Sequence, residues 1–206
     1  MTVNGFWRKH WYKATMIAVS VALLAAIGYV YFGGEKEAPF PVQGSASPFT
    51  LTDVNGESVS IEKTGGQVKL LYFFFANCPD VCPPTSHMLS RVQDRLKEAG
   101  AFGTDAQIFQ VTIDPERDTA ENLAKYAANM NADTSGWRFL RGTPEETKTI
   151  AENYGILYKE DEKTGFFIHS NTVMLIDQDN QIRKRYSADD LNDEIIAKDV
   201  LTLLGS

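Results

Sequence analysis

The sequence predicts a single α/β domain that follows a membrane-spanning helix. Three observations indicate this: an uncharged run of 19 residues near the N-terminus, alternating strand and helix patterns from residue 68 onward, and a globular composition with 43% hydrophobic and 23% charged residues among 206. A chain of this length forms one domain with a substantial core and is short for two. We therefore expect one folded unit outside the membrane.

The uncharged run covers residues 14–32 and reaches the roughly 20 residues that a helix needs to cross a bilayer. Arg8, Lys9 and Lys13 precede it without any acidic residue, so the positive-inside rule places residues 1–13 in the cytoplasm. A cleaved secretory signal is the alternative, but the run is long for a signal and ends in aromatic residues where a signal peptidase needs small ones. We predict an uncleaved, single-pass anchor in the cell membrane, with the functional domain outside the cytoplasm.

Charge and composition then separate a linker from the folded domain. The 174 residues after the anchor carry 17 basic and 27 acidic side chains, a net charge of −10. Such a surface repels phosphate backbones, which argues against nucleic acid as a partner. Residues 33–48 are rich in Gly, Pro, Ser and charged residues, a composition typical of flexible linkers. We expect the domain to cover residues 49–206.

The first elements of the domain are a hairpin, a buried strand and a helix. Residues 49–52 and 59–61 alternate on either side of an Asn-Gly turn, which predicts a β-hairpin. Residues 68–76 (VKLLYFFFA) form a short, nearly continuous apolar run, which fits a strand covered on both faces. Apolar residues at spacings of three and four then predict a helix that ends at Gly100.

The alternation of strands and helices continues to the C-terminus. The predicted strands and helices, in order, are 108–113, 119–130, 137–140, 144–154, 172–177, 181–186 and 189–204, where the second, fourth and last are helices. A parallel start that closes with an antiparallel hairpin and a helix is typical of a thioredoxin-like α/β sandwich.

Both cysteines of the chain lie in the motif CPDVCPP, between the most buried strand and the helix that follows it. Pro83 and Pro84 suit the first turn of a helix and oppose one that starts at Cys78, so both sulfurs are expected on a loop that caps the helix. The positive end of the helix dipole favours thiolates there, which are better nucleophiles and metal ligands. A structural disulfide is the alternative, but a loop with three intervening residues removes little chain entropy.

A pair of thiolates with this spacing can exchange disulfides or bind a soft metal ion. A closed zinc site needs four protein ligands and would have to use His87 as well as His169, which is strained. His169 is the better ligand candidate, because the loop that enters a late central strand passes beside the loop that ends the first buried strand. Two thiolates and one imidazole suit copper, with Cu(I) held by the sulfurs and Cu(II) by added nitrogen. The predicted metal ligands are Cys78, Cys82 and His169.

With these motifs the chain resembles the Sco/SenC proteins over residues 47–204. The resemblance rests on CPDVCP, on residues 114–119 (DPERDT), on residues 137–142 (WRFLRG) and on His169. It implies a membrane-tethered, copper-binding protein of thioredoxin-like fold that holds one copper ion through the two cysteines and the histidine. Ile168 departs from the family pattern, in which many relatives have an acidic residue before the histidine.

The resemblance also implies a function in the assembly of cytochrome c oxidase. A chaperone of this kind receives copper from a donor that the sequence does not identify, and passes it by ligand exchange to subunit II for the dinuclear copper site. Oxidation of the cysteine pair to a disulfide would release or block the metal. Such a metallochaperone is not an enzyme in the ordinary sense.

Two other functions use the same residues. A thiol-disulfide oxidoreductase that keeps the target's copper-ligand cysteines reduced would need Cys78 and Cys82 but not His169. A peroxidase of the same broad fold is less favoured, because the peroxiredoxin signature has Thr three residues before its reactive cysteine, where this chain has Phe75. Retention of disulfide exchange after His169→Ala would favour the oxidoreductase.

Several nearby residues have structural interpretations. Asp80 lies between the cysteines and could tune copper affinity or thiol pKa through its charge, although a turn residue is the commoner role. Asp118 or Thr119 is expected to cap the helix after the DPERDT stretch. The methionines of the domain fall in helix or strand patterns and are expected in the core rather than at the metal: Met88, Met130 and Met174.

Overall fold

The computed structural model describes the backbone of residues 4–32, 39–156, 158–160, 167–187 and 190–205, and the side chains of residues 11–27, 39–156, 170–187 and 190–205. The chain divides into two compact units, Met1–Glu37 and Ala38–Ser206. The first unit contains helix α1 (Asn4–Phe32), which includes the predicted membrane-spanning segment and has exposed apolar side chains such as Leu24. In the described part of the chain, no helix was found that is long and apolar enough to cross a membrane.

The second unit is an α/β sandwich built on an eight-stranded sheet. The strands of this sheet are β1 (Gly44–Ser45), β2 (Thr50–Asp53), β3 (Ser58–Ser60), β4 (Val68–Phe74), β5 (Ala106–Thr112), β6 (Trp137–Arg141), β9 (Thr172–Ile176) and β10 (Gln181–Ser187). A separate two-stranded sheet consists of β7 (Tyr158–Glu160) and β8 (Phe167–His169). The helices are α2 (Cys82–Glu98), α3 (Ala120–Asn129), α4 (Pro144–Asn153) and α5 (Asp193–Leu204), with a 3-10 turn at Glu62–Thr64.

The strand order of the large sheet is β1-β10-β9-β4-β5-β6-β2-β3. Strands β4, β5 and β6 run parallel, whereas β9 is antiparallel to β4 and β10 is antiparallel to β9. This is the predicted parallel start closed by an antiparallel hairpin. Every residue of β4 and β5 is buried, which confirms that the apolar run is a strand covered on both faces. The C-terminal end of β4 therefore lies in the middle of the sheet, and the cysteine motif begins there.

The predicted bounds agree with the structure where local turn and cap chemistry is strong. In the first hairpin Leu51 pairs with Val59, and Gly56 adopts a positive φ of 81° in the turn. Thr119 caps α3 and accepts a hydrogen bond from the amide of Asn122, as expected. Helix α5 begins at Asp193, four residues later than predicted.

Two features were not predicted from the sequence. Strand β1 pairs with β10 inside the segment interpreted as linker, so the compact unit begins at Ala38 rather than at residue 49. A two-residue strand has no periodicity of its own and forms only because β10 presents an edge. The hairpin of β7 and β8 consists of three-residue strands, which are too short for alternation to be recognised.

Candidate metal-binding site

The two cysteines lie where the central strand β4 leads into α2. Cys78 is on the connecting loop, and its amide donates a hydrogen bond to the carbonyl of Phe75. Cys82 is the first residue of α2, with Val81 as the N-cap. The expectation that both sulfurs precede the helix is therefore correct for Cys78 and wrong for Cys82. A proline in the first turn removes only an N–H that has no partner within the helix, so the helix begins one residue before Pro83.

The two side chains form a buried pair of thiols. Cys82 is 0% exposed, Cys78 is 8% exposed, and neither forms a disulfide. A hydrogen bond between the two sulfur groups and burial together raise the pKa of the Cys82 thiol well above its usual range. The position at the helix N-terminus was expected to favour the thiolate, but at Cys82 these two effects outweigh it. Two sulfurs within hydrogen-bonding range of each other can both contact one metal ion.

His169, the third predicted ligand, is the last residue of β8 and pairs with Tyr158. Its side chain lies outside the described residues. Two residues further on, the side-chain oxygen of Asn171 lies 3.2 Å from the hydroxyl oxygen of Thr85, in the first turn of α2. Two residues span at most about 7 Å, so this contact keeps the backbone after β8 beside the helical turn that begins at Cys82. Sequence reasoning missed the contact, because Thr85 and Asn171 are ordinary polar residues far apart in the chain.

The other candidate residues lie at the surface or in the core. Among the described side chains, no group of three or more His, Cys, Asp and Glu residues is arranged to hold a metal ion. His87 and Asp80 are exposed at the surface. The three methionines are buried in the core, as predicted: Met88, Met130 and Met174. The described part of the predicted ligand set is therefore the cysteine pair.

A buried layer of polar side chains fixes the start of α2 to the sheet. The Tyr126 hydroxyl and the Gln110 side-chain amide each donate a hydrogen bond of 2.9 Å to the hydroxyl of Ser86, four residues after Cys82. Trp137 in turn donates from Nε1 to Oε1 of Gln110, over 3.1 Å. Sequence analysis did not identify this layer. A glutamine inside the largely apolar strand β5 was the sequence feature that could have indicated it. The layer joins α2, α3, β5 and β6 directly behind the cysteine-bearing turn.

The DPERDT stretch supports the cysteine loop from a second side. Asp118 is fully buried and accepts hydrogen bonds from the amide of Ala76, over 3.0 Å, and from the hydroxyl of Thr112. Arg117 pairs with Asp114. The structural role expected for this stretch is thus confirmed. Asp118 also holds the backbone at Ala76, two residues before Cys78.

Replacing Asp118 with asparagine should change how stability depends on pH. Burial raises the pKa of the Asp118 carboxyl, and its Oδ1 atom has no hydrogen-bond partner among the described groups. The folded chain therefore binds the proton of this carboxyl more tightly than the unfolded chain does. The stability that the bound proton contributes is fully present below about pH 3.9 and is lost as pH rises through the folded-state pKa. An asparagine side chain at this position would carry no charge at any pH.

We therefore expect the free energy of unfolding of Asp118→Asn, taken relative to that of wild type, to be larger at pH 7 than at pH 4 by on the order of 1 kcal/mol. The measurement is the free energy of unfolding in urea at both pH values. A difference between the two proteins that stays constant over this range would show that the Asp118 proton is not coupled to folding.

The fold and the buried cysteine pair define a thioredoxin-like dithiol protein. The family model SCO1/SenC matches residues 40–205. The chain therefore belongs to the SCO1/SenC family.

Similar proteins agree with this assignment. The SCO1 protein homolog of Bacillus subtilis is 31% identical over 156 residues, which cover 75% of this chain and 79% of that protein. The crystal structure of Arabidopsis thaliana ScoI with copper bound has a TM-score of 0.63 at 29% identity and covers 76% of this chain and 98% of that one. The structure of BsSco, described as a member of the Sco family of cytochrome c oxidase assembly proteins with a disulfide switch, has a TM-score of 0.68 at 28% identity and covers 83% and 98%.

Proposed function

We propose that this chain is a membrane-anchored copper chaperone that loads the dinuclear copper site of cytochrome c oxidase subunit II during assembly. The observation that carries the proposal is the buried thiol pair at the end of the central strand. Soft sulfur ligands of this kind suit Cu(I), and their burial keeps water away from the metal. Membership of the family supports the proposal, since one relative's structure contains copper and another is named as an oxidase assembly protein.

In this proposal Cys78, Cys82 and His169 hold one copper ion, with the imidazole most important for Cu(II). The contact between Thr85 and Asn171 supports the recruitment of His169, because it holds the nearby backbone against the turn that carries Cys82. Cys78 is the more exposed of the two cysteines, so an incoming ligand from the target would displace it first. The copper donor is not identified by these features.

The proposed location is the cell membrane, with the N-terminus in the cytoplasm and the copper site outside. This part rests on the uncharged sequence of residues 14–32 and on the basic residues that precede it. Helix α1 covers the same residues, and the large apolar side chains described along it are exposed. An anchor of this kind would keep the site close to a membrane-embedded target.

A transfer experiment tests the proposal. The copper-loaded, full-length chain in detergent is mixed with copper-free, reduced subunit II, and the absorption of the dinuclear centre is followed. We expect the centre to form with wild type and to be absent with Cys78→Ser or Cys82→Ser, because these variants carry no tightly bound copper. A matched variant, His87→Ala, removes an exposed histidine from α2 and should transfer copper as wild type does.

The alternative function is a thiol-disulfide oxidoreductase that reduces the cysteines of the same target. The observation that favours it is that the two thiols lie within hydrogen-bonding range of each other. In that reaction the two thiols become a disulfide while the target disulfide becomes two thiols. Reduction of an oxidised target by the metal-free chain, undiminished in His169→Ala and without copper transfer, would replace the chaperone assignment with this one.

A further inference from the structure

We propose that Thr85 and Asn171 are a positioning pair, which holds the segment of His169 against the start of α2 and so sets the affinity of the site for Cu(II). The inference rests on the proposed function, since it concerns a ligand of the proposed copper site. It adds two uncharged residues that lie outside the cysteine motif.

Thr85 lies on the same face of α2 as Cys82. The two residues are three positions apart in the first turn of the helix, and residues at this spacing are neighbours, with Cβ atoms about 5–6 Å apart. Both are buried, Thr85 at 1% and Cys82 at 0% exposure. A side chain that contacts Thr85 is therefore close to the part of the site that Cys82 provides.

The hydrogen bond between Thr85 and Asn171 has a defined direction. The Thr85 hydroxyl has one proton, which it donates to the carbonyl of Val81 over 2.9 Å. Its oxygen then accepts from the amide nitrogen of Asn171, which also lies 3.2 Å away. Asn171 is thus the donor, and the bond joins the residue before β9 to a helix 86 positions earlier in the chain.

A second threonine shows that a helix start does not need such a bond. Thr147 is the fourth residue of α4, as Thr85 is of α2, and it is also 1% exposed. Its hydroxyl donates to the carbonyl of the N-cap residue Thr143 over 3.0 Å, as that of Thr85 does to Val81. Each threonine therefore bonds to its own helix in the same way, and the bond from Asn171 is an addition at Thr85.

The contact constrains His169 through the chain. Only Ser170 separates His169 from Asn171, so the Cα atoms of His169 and Asn171 are at most about 7 Å apart. His169 is also paired with Tyr158 in the two-stranded sheet, which fixes its backbone from the other side. The segment is thus held at two points, and the contact with Thr85 joins it to the cysteine-bearing helix.

The chemistry of the pair suits the support of a metal ligand. Residues around a metal site orient the ligands, and their loss weakens metal binding. An amide and a hydroxyl carry no charge, so they orient the segment without attracting a cation themselves. Imidazole suits Cu(II), whereas Cu(I) is held mainly by soft sulfur ligands. Loosening the segment of His169 should therefore lower the affinity for Cu(II) more than the affinity for Cu(I).

The test compares Thr85→Val with Thr147→Val in the full-length chain. Each variant loses the bond to its own N-cap carbonyl, but only Thr85→Val also loses the bond from Asn171. In Thr85→Val we expect Cu(II) affinity to fall about fivefold and Cu(I) affinity about twofold, since one neutral hydrogen bond is lost. Thr147→Val should bind both ions as wild type does, and Thr85→Ser, which keeps the hydroxyl, should have the wild-type affinity for Cu(II).

A double-mutant cycle shows whether the pair acts through His169. In the His169→Ala background, Thr85→Val should have no further effect on Cu(II) affinity, because the ligand that the pair positions is gone. Asn171→Ala removes the donor of the bond and should reproduce the result of Thr85→Val, so the test does not depend on the folding of one variant. A loss that persists without His169, or an equal loss in Thr147→Val, would overturn the inference.

A measurement on the metal-free chain separates this inference from the proposed function. Hydrogen exchange of the backbone amides of residues 167–172 should be about fivefold faster in Thr85→Val than in wild type and unchanged in Thr147→Val. Unchanged exchange in Thr85→Val would overturn the positioning role. Absence of copper binding by wild type would instead overturn the proposed function, and the exchange rates would still decide whether the pair holds this segment.

Discussion

Replacing either cysteine with serine is expected to lower the Cu(I) affinity of the full-length chain by roughly a thousandfold or more, equivalent to about 4 kcal/mol. In the proposed site Cys78 and Cys82 are the two soft ligands, and serine offers a hard, protonated oxygen in place of a thiolate. Affinity is measured anaerobically by competition with a chromogenic Cu(I) chelator in detergent. Wild type should bind one ion per chain.

His169→Ala provides an internal comparison for the same titration. Imidazole contributes more to Cu(II) than to Cu(I), so we expect the variant to lose Cu(II) affinity by about a hundredfold and Cu(I) affinity by about tenfold. His87→Ala, which removes an exposed histidine, should bind both ions as wild type does. Wild-type affinities in all three ligand variants would show that copper binds elsewhere in the chain.

Gln110→Ala is expected to have the largest effect on stability among the polar residues, lowering the free energy of unfolding by about 3 kcal/mol. Gln110 is 0% exposed and joins Ser86 on α2 to Trp137 on β6. Its removal leaves the buried indole N–H of Trp137 without an acceptor and opens a cavity between sheet and helix. Urea unfolding followed by circular dichroism gives the value.

Gln107→Ala is the matched control for that measurement. Gln107 lies on the same strand, three residues earlier, at 9% exposure, and among the described groups its amide donates only to the carbonyl of Gly103, over a long 3.4 Å. We expect a loss below about 1 kcal/mol. Because Ser86 lies one helical turn after Cys82, Gln110→Ala should also weaken Cu(I) binding, whereas Gln107→Ala should not. Equal losses in the two variants would contradict the importance of the polar layer.

The elements with strong local signals were predicted well. The run VKLLYFFFA is a buried strand because seven consecutive apolar positions have no exposed face to offer, and β4 is fully buried. Thr119 caps α3 and Pro144 begins α4 because these residues satisfy or remove the amides that a helix start leaves unpaired. Three-residue strands such as β7 and β8 were missed, since their pairing depends on neighbours in space.

At the candidate site, too, features with a local sequence signal were predicted and contacts between distant residues were not. The cysteine spacing and the following prolines predicted a thiol pair at a helix start, and that pair is present. The copper ligand set stays a prediction, because it includes His169. The supporting contacts from Asp118, Gln110 and Asn171 were not predicted, since each joins residues more than twenty positions apart in the chain.

By itself the sequence determined the order of the strands and helices that have strong local signals, the position of the cysteine motif between the most buried strand and the next helix, and the membership of the chain in its family. These properties depend on local periodicity, on turn and cap residues, and on motifs that are contiguous in the chain. The tertiary structure decided which cysteine is buried more deeply and which side chains hold the cysteine loop. Burial and hydrogen bonding between distant segments arise only when the sheet brings those segments together.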